Sequence, residues 1–328
     1  MPNGWRTTGE WSKDLSLPQE VRGILPGRDF SRILARKEPP AHLLFHPEDN
    51  LLSMAGTLSR SWQLVQETWR VLRKDKELLV FPVVSGIAVI IIIASFILPL
   101  LFSGLLRSGF GIVTWVLLIF VFYFVTYFVV IFFNTALIAA AHIRLSGGDP
   151  TVRDGLSHAG RHLGEVAAWA LISATVGLIL SAIRNRGGAA GSIASGILGV
   201  AWSLLTFFVI PVMIFEEKGV IDSIRESIGL FRKTWGENIV GSIGLGLVMI
   251  PVILVLLLLM GALFAGSTLF LPLAAFFVLL LGVTAVVYSA LRGIFVAALY
   301  IYARTGTVPR AFSPDLIVNA FQPKGGKI

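Results

Sequence analysis

Ile221-Asp222-Ser223-Ile224-Arg225-Glu226-Ser227-Ile228-Gly229-Leu230-Phe231-Arg232-Lys233-Thr234-Trp235 runs through Glu237 into an apolar stretch, Ile239 to Phe264. Ile221, Ile224, Ile228, Phe231 and Trp235 step by 3, 4, 3 and 4, which is one face of a helix. The stretch that follows exceeds the ~20 apolar residues a membrane-spanning helix needs. A helix lying on a surface thus leads directly into one that crosses a bilayer. The unit recurs upstream. Leu58, Trp62, Val65, Trp69 and Leu72 precede the apolar run Leu78 to Phe102. Val152, Leu156, Ala159 and Leu163 precede Val166 to Ile183. Each span is followed by an apolar return: Ile112 to Ala141, Ser192 to Phe215, and Leu271 to Tyr302.

The repeat carries a second mark. Arg73 and Glu77, Arg161 and Glu165, and Lys233 and Glu237 each pair a base with a glutamate four residues on, just ahead of the span. At that spacing the two side chains touch on a continuous helix. The glutamate suits the positive end of the following helix dipole, and the base reaches lipid phosphates.

Composition agrees with this plan. The chain has 328 residues, 55% hydrophobic and 14% charged, with a mean hydropathy of +0.81. Soluble domains carry about 25% charged residues, so the bilayer is the expected solvent. The net charge of +8 sits beside apolar spans, which points to anionic headgroups and not to nucleic acid. With no cysteine, disulfides, thiolate metal sites and cysteine nucleophiles are excluded. Residues 1–53 are polar and rich in proline, with acids that do not fit a transit peptide and no apolar core of a secretory signal. They read as a cytoplasmic extension without a packed core, or as sequence upstream of a true start at Met54. Residues 54–305 form the membrane domain and 306–328 a short tail. Sixteen Lys and Arg fall on one set of loops, and only Arg107, Arg184 and Arg186 on the other. That bias places both termini and all three surface runs in the cytoplasm, at the cell membrane.

Val209-Ile210-Pro211-Val212-Met213-Ile214-Phe215-Glu216, then Ser223-Ile224-Arg225-Glu226-Ser227, then Leu230 to Gly236 form a recognisable series. It is a Pro-then-Glu helix end, a small-Arg-x-Ser helix and a basic-x-Trp-Gly entry to the next span. This resembles the six-helix membrane domain of the YciC-like proteins, a domain type also fused to some glycerophosphodiester phosphodiesterases. Residues 61–86, with Glu67-Thr68-Trp69-Arg70 and Lys74 to Pro82, resemble a prokaryotic relative of that group whose function is uncharacterised. The resemblance implies the fold. It carries no phosphodiesterase activity over, because the catalytic domain has no counterpart here.

Ionisable groups inside a bilayer are costly and mark function. No Asp or Glu lies within any expected span; Glu165, Glu216, Glu217 and Glu237 sit at the boundary. Arg292 is the exception, twelve residues before Arg304, or about 18 Å along a helix. Aligning the repeats sets Arg292 level with Asn134 and Thr206. The three form either a site for an anionic headgroup or solute, or a hydrogen-bonded knot that holds the bundle. His158, His162 and Glu165 share a spacing that invites a metal. The Glu of an HExxH helix is missing between the histidines, so no metal is assigned. Gly187-Gly188 reads as a turn, and Ser192, Gly196 and Gly199 as a close helix-packing face. Pro251 kinks the fifth span, as a fixed bend or a hinge.

The expected fold is all-α: six transmembrane helices in three hairpin units, each entered by a cytoplasmic interfacial helix. No catalytic set and no cofactor motif is present. The expected role is non-enzymatic, organising membrane lipids or a protein partner, which includes a second copy of the chain. A passive transporter or channel for a lipid or small solute, with Arg292 in its site, is the alternative.

Overall fold

The computed structural model describes residues 62–102, 111–235 and 270–314. All lie in one compact unit, Gly56–Ile328. Residues 62–74 form a first helix, α1. Asp75 breaks it, and a single 3-10 turn, Lys76–Leu79, leads into α2, Val80–Phe102. Then follow α3 (Ile112–Leu145), α4 (Val152–Arg161), α5 (Leu163–Arg186), α6 (Gly188–Leu205), α7 (Val209–Phe215), α8 (Val220–Trp235) and α9 (Phe270–Thr305). Among the described residues there is no strand.

Among the described residues, five stretches are long and apolar enough to cross a membrane: Lys76–Phe102, Ile112–Leu145, Leu163–Arg186, Gly188–Phe215 and Ala274–Thr305. Each coincides with an expected span. The remaining one, Ile239 to Phe264 with Pro251, lies outside the described residues, as do residues 1–53 and Glu237. Large apolar side chains are turned outward along these helices; Ile90, Leu101, Phe102, Ile112 and Leu279 are each at least 59% exposed. So much exposed apolar surface requires an apolar solvent.

The central helix is α3, packed by α2, α4, α5, α7 and α9. Ala136-Leu137-Ile138-Ala139-Ala140-Ala141 is buried on every side, no residue above 1% exposed. Four alanines let neighbouring backbones approach closely, which is how helices associate where lipid removes the hydrophobic drive. Gly293 of α9 sits against Leu137, and Gly155 of α4 against the carbonyl of Ala136.

The short elements begin and end for local reasons. Thr151 caps α4 in a reciprocal box: the Asp154 N–H donates to Thr151 Oγ1 at 3.2 Å, and the Thr151 N–H to Asp154 Oδ2 at 2.9 Å. The turn between α5 and α6 is made by Gly187 and Gly188, as expected. Gly188 has φ +56°, and a Cβ on Gly187 would stand 2.5 Å from the Gly191 Cα. The expected packing face of α6 is displaced. Gly191 and Ser195 are buried, while Ser192 is exposed and Gly196 has open space around it. Gly199 touches only the Leu180 side chain, at 3.7 Å.

One further expectation is corrected. The return from Ser192 to Phe215 is not one helix: it breaks at Thr206–Phe208. Pro211 has no N–H, and its ring crowds the carbonyl of Phe207, so the helix cannot pass that point unbroken. Within the surface runs the apolar stripe is divided: Leu72, Ala159 and Phe231 are buried, and Val65, Val152, Leu156 and Ile224 pack against the core. Trp62 is 56% exposed, Trp69 41%, Ile221 55% and Leu163 48%, while Glu67, Asp75, Ser223 and Ser227 are buried. At a membrane interface lipid accepts the outer residues of such a stripe, while buried polar residues of the same helices bind neighbours.

Candidate functional site

The helix ends and the connections between them meet at one end of the bundle, where they interlock as a collar. Three buried or half-buried carboxylates hold it. The first is Glu67 of α1, 4% exposed. It accepts the backbone N–H of Ser313 at 3.0 Å and a short hydrogen bond from the same residue's hydroxyl. Phe312 is buried beside it. The segment after the last helix is thereby tied to the first.

The second is Asp75, at the break between α1 and α2, in a close ion pair with Arg144 at the end of α3. Arg144 also reaches Asp149 at 3.3 Å and the carbonyl of Gly148 at 3.2 Å. Burial pushes the Asp75 carboxyl above its ordinary range, and Arg144 only partly opposes this. Next to it, Glu77 accepts the N–H of Val152 at 3.1 Å, at the first turn of α4. An orphan donor at a helix start is satisfied by a carboxylate from another element.

The third is Glu216, at the end of α7. Tyr300 of α9 donates its hydroxyl to Oε1 at 3.0 Å, while Lys218 at 2.8 Å and Arg304 both close on Oε2. Lys218 and Arg304 also share Glu226 of α8, at 3.2 and 3.1 Å. Glu217 adopts φ 50° between the paired residues, which turns the chain back so that Lys218 reaches Glu216. Such a left-handed residue costs about 1 kcal/mol and persists where its surroundings hold it. Burial raises the Glu216 pKa, but hydrogen bonds from Lys218, Arg304 and Tyr300 outweigh it and hold the carboxyl below its ordinary value. Beneath lie the Phe215 ring on Tyr300, 5.6 Å between centroids, and His142 on Phe215 at 4.1 Å.

A serine completes the collar. Ser227 of α8 is fully buried. Its hydroxyl donates to the Leu205 carbonyl at 2.7 Å and accepts the Phe208 N–H at 3.0 Å, one on each side of the break in the fourth span. A surface helix thus satisfies the backbone that Pro211 forces open, as a bilayer demands. Ser227→Ala leaves both groups buried without this partner. The expected cost is about 2 kcal/mol, read as a lower melting midpoint in detergent. Ser223→Ala, which loses one bond to the Lys218 carbonyl at 3.2 Å, is expected to cost less. Equal effects would remove the special role of Ser227.

The residues singled out by sequence fall differently. Glu165 lies in the first turn of α5, as expected, but Arg161 and Glu165 are separated by the helix break at His162. Arg73 and Glu77 are separated by the break at Asp75. Neither pair therefore lies on one continuous helical turn, and neither forms an ion pair. The side chain of Lys233 lies outside the described residues. Among the described residues no hydrogen bond or ion pair links Arg292, Asn134 and Thr206. Thr206 Oγ1 donates to its own helix at Trp202, 2.7 Å away, Asn134 is half-buried, and Arg292 is exposed. The close seat of Gly293 on Leu137 fixes the inward face of α9 and turns Arg292 away from it. His158 Nδ1 lies 3.1 Å from its own helix carbonyl at Asp154. Among the described residues, no three metal-ligating side chains come together. Glu216 was visible in the sequence as a boundary charge, but the pairing of the collar was not. Glu67 and Ser313 are 246 residues apart, and Glu216 and Arg304 are 88.

Five apolar spans with a polar collar at one end define a polytopic helical membrane protein. The chain belongs to a family of unknown function (DUF6159), whose model matches residues 112–310. That match takes in α3 to α9, with the Glu216 lock and Arg310, and leaves out α1 and α2. No curated protein and no solved structure matches the chain.

Proposed function

We propose that the chain is a non-enzymatic, six-span protein of the cell membrane that holds lipid or a partner protein against the cytoplasmic face. The observation that carries this reading is the sorting of charge in the collar. Its carboxylates Glu67, Asp75 and Glu216 are spent on internal partners, while the exposed Arg70, Arg73, Lys74, Arg161 and Arg232 pair with no described acid. An end so built attracts anionic surfaces and offers no charge network that is left to do chemistry. The positive loops put that end, and both termini, in the cytoplasm. The resemblance to the YciC-like membrane domain supports the six-span count. The transporter alternative has no comparable observation behind it, since no hydrogen bond links its three residues among the described ones.

Single-cysteine labelling tests the orientation, because the chain has no cysteine of its own. Ser146→Cys and Arg161→Cys are expected to react with an impermeant maleimide only after the inner face is opened. Arg186→Cys is expected to react in intact cells. The reverse pattern, or labelling of all three from one side, overturns the arrangement.

A further inference from the structure

We infer that the outward face of α1 is a recognition surface for anionic phospholipid, distinct in strength from the rest of the collar. This rests on the reading of the collar as lying at a membrane surface. In α1, Glu67, Thr68, Val71 and Leu72 are buried, as is Asp75 at its end. The exposed residues are Trp62, Gln63, Gln66, Trp69, Arg70, Arg73 and Lys74. At 100° per residue the two tryptophans stand side by side at one edge of this face. Arg73, Gln66, Arg70, Gln63 and Lys74 follow in order towards the other edge. No acid is on it. The sequence of the segment mixes Glu67, Asp75 and Glu77 with Arg70, Arg73, Lys74 and Lys76, and its charges nearly cancel. The fold separates them: Glu67 is bound to Ser313, Asp75 to Arg144 and Glu77 to the Val152 N–H.

What remains is an aromatic edge beside a cationic edge on a helix that turns directly into a span. Indole rings settle at headgroup depth, and guanidinium groups just above them meet phosphates. The other described interfacial helices lack this pairing. The outward faces of α4 and of the described part of α8 carry no tryptophan, and both mix acids with bases: Asp154 beside Arg153, and Asp222 paired with Arg225 at 3.0 Å. An anionic lipid surface fits α1 by charge and by depth. A protein partner would need no such arrangement of indole against base along the membrane plane.

The test uses the full chain in nanodiscs containing phosphatidylglycerol and phosphatidylcholine, released into native mass spectrometry. Arg70, Arg73 and Lys74 form no ion pair or hydrogen bond with a described residue, so their replacement by Gln leaves the described fold intact. The triple variant R70Q/R73Q/K74Q is expected to lower the retained ratio of phosphatidylglycerol to phosphatidylcholine by about tenfold or more. R153Q/R161Q/R225Q removes the same charge elsewhere in the collar and is expected to lower it by less than about threefold. Equal losses show a diffuse positive field and overturn the inference, as does no loss in the first variant. Gln66→Cys labelling separates this failure from that of the wider reading. If Gln66→Cys does not react from the same side as Ser146→Cys, the membrane-surface placement itself falls. If it does react and the lipid preference is unmoved, only the assignment to α1 falls.

Discussion

Gly155→Ala is expected to destabilise the protein by about 2 kcal/mol, although alanine is the better helix former by about 1 kcal/mol. A Cβ at this position would lie 2.6 Å from the Ala136 carbonyl oxygen and 2.6 Å from the Phe81 ring. The first is backbone in the middle of the buried central helix, and it cannot yield unless α4 lifts off α3. The second belongs to a side chain only 1% exposed. Lifting α4 also strains the Glu77 contact to Val152 and the Thr151 cap. Gly160→Ala on the same helix is the control. It has nothing within 4 Å, so only the propensity term acts and the protein gains up to about 1 kcal/mol. The check is a pair of melting curves in one detergent. Opposite signs are expected; two stabilising substitutions would mean that α4 does not seat on the Ala136 carbonyl.

The place of Gly155 shows what was legible in the sequence. The three Arg or Lys and Glu marks set the register of the repeats, and that register makes Glu67, Gly155 and Ser227 equivalent positions. All three are buried. Each meets the backbone of another element: Glu67 the Ser313 N–H, Gly155 the Ala136 carbonyl, Ser227 the two groups at the break. The repeat was therefore visible, but its inward position was not, because three chemistries fill it. A carboxylate, a hydroxyl and a bare Cα each satisfy one local backbone geometry, and no residue pattern links them. The apolar stripes gave no sign of it, since periodicity reports which residues share a face and not what that face meets. The spans were legible for the converse reason. A bilayer fixes their length and composition whatever they pack against. For Arg292, depth along the helix was readable and rotation about its axis was not.

Glu216→Ala is expected to cost about 2 kcal/mol, below the roughly 3–5 kcal/mol of breaking a fully buried pair. The side chain of Glu216 is 12% exposed but that of Arg304 is 38%, so water takes up part of the lost interaction. Removing the carboxylate leaves Arg304 and Lys218 both leaning on Glu226 alone, and it frees the Tyr300 hydroxyl from its acceptor. It also loosens α9 at its C-terminal end, where a cation is otherwise held against the helix dipole. The pH dependence has a definite sign. Hydrogen bonds from Lys218, Arg304 and Tyr300 hold the folded-state pKa of Glu216 below its ordinary 4.5. The stability this contributes is present above that value and is lost as pH falls through the lower, folded pKa. Asp75 acts in the opposite sense. Burial raises its pKa above 3.8, so its contribution is full below that value and declines as pH rises through the folded pKa. Melting curves of the intact protein on acidification are thus expected to shift downward below about pH 4.5, the ordinary carboxylate value. The shift is expected to shrink in Glu216→Gln, whose amide matches the carboxyl in size but does not titrate. If the acid limb is as steep in Glu216→Gln as in the native chain, the lock at the end of α7 is not what fastens α9 to the collar.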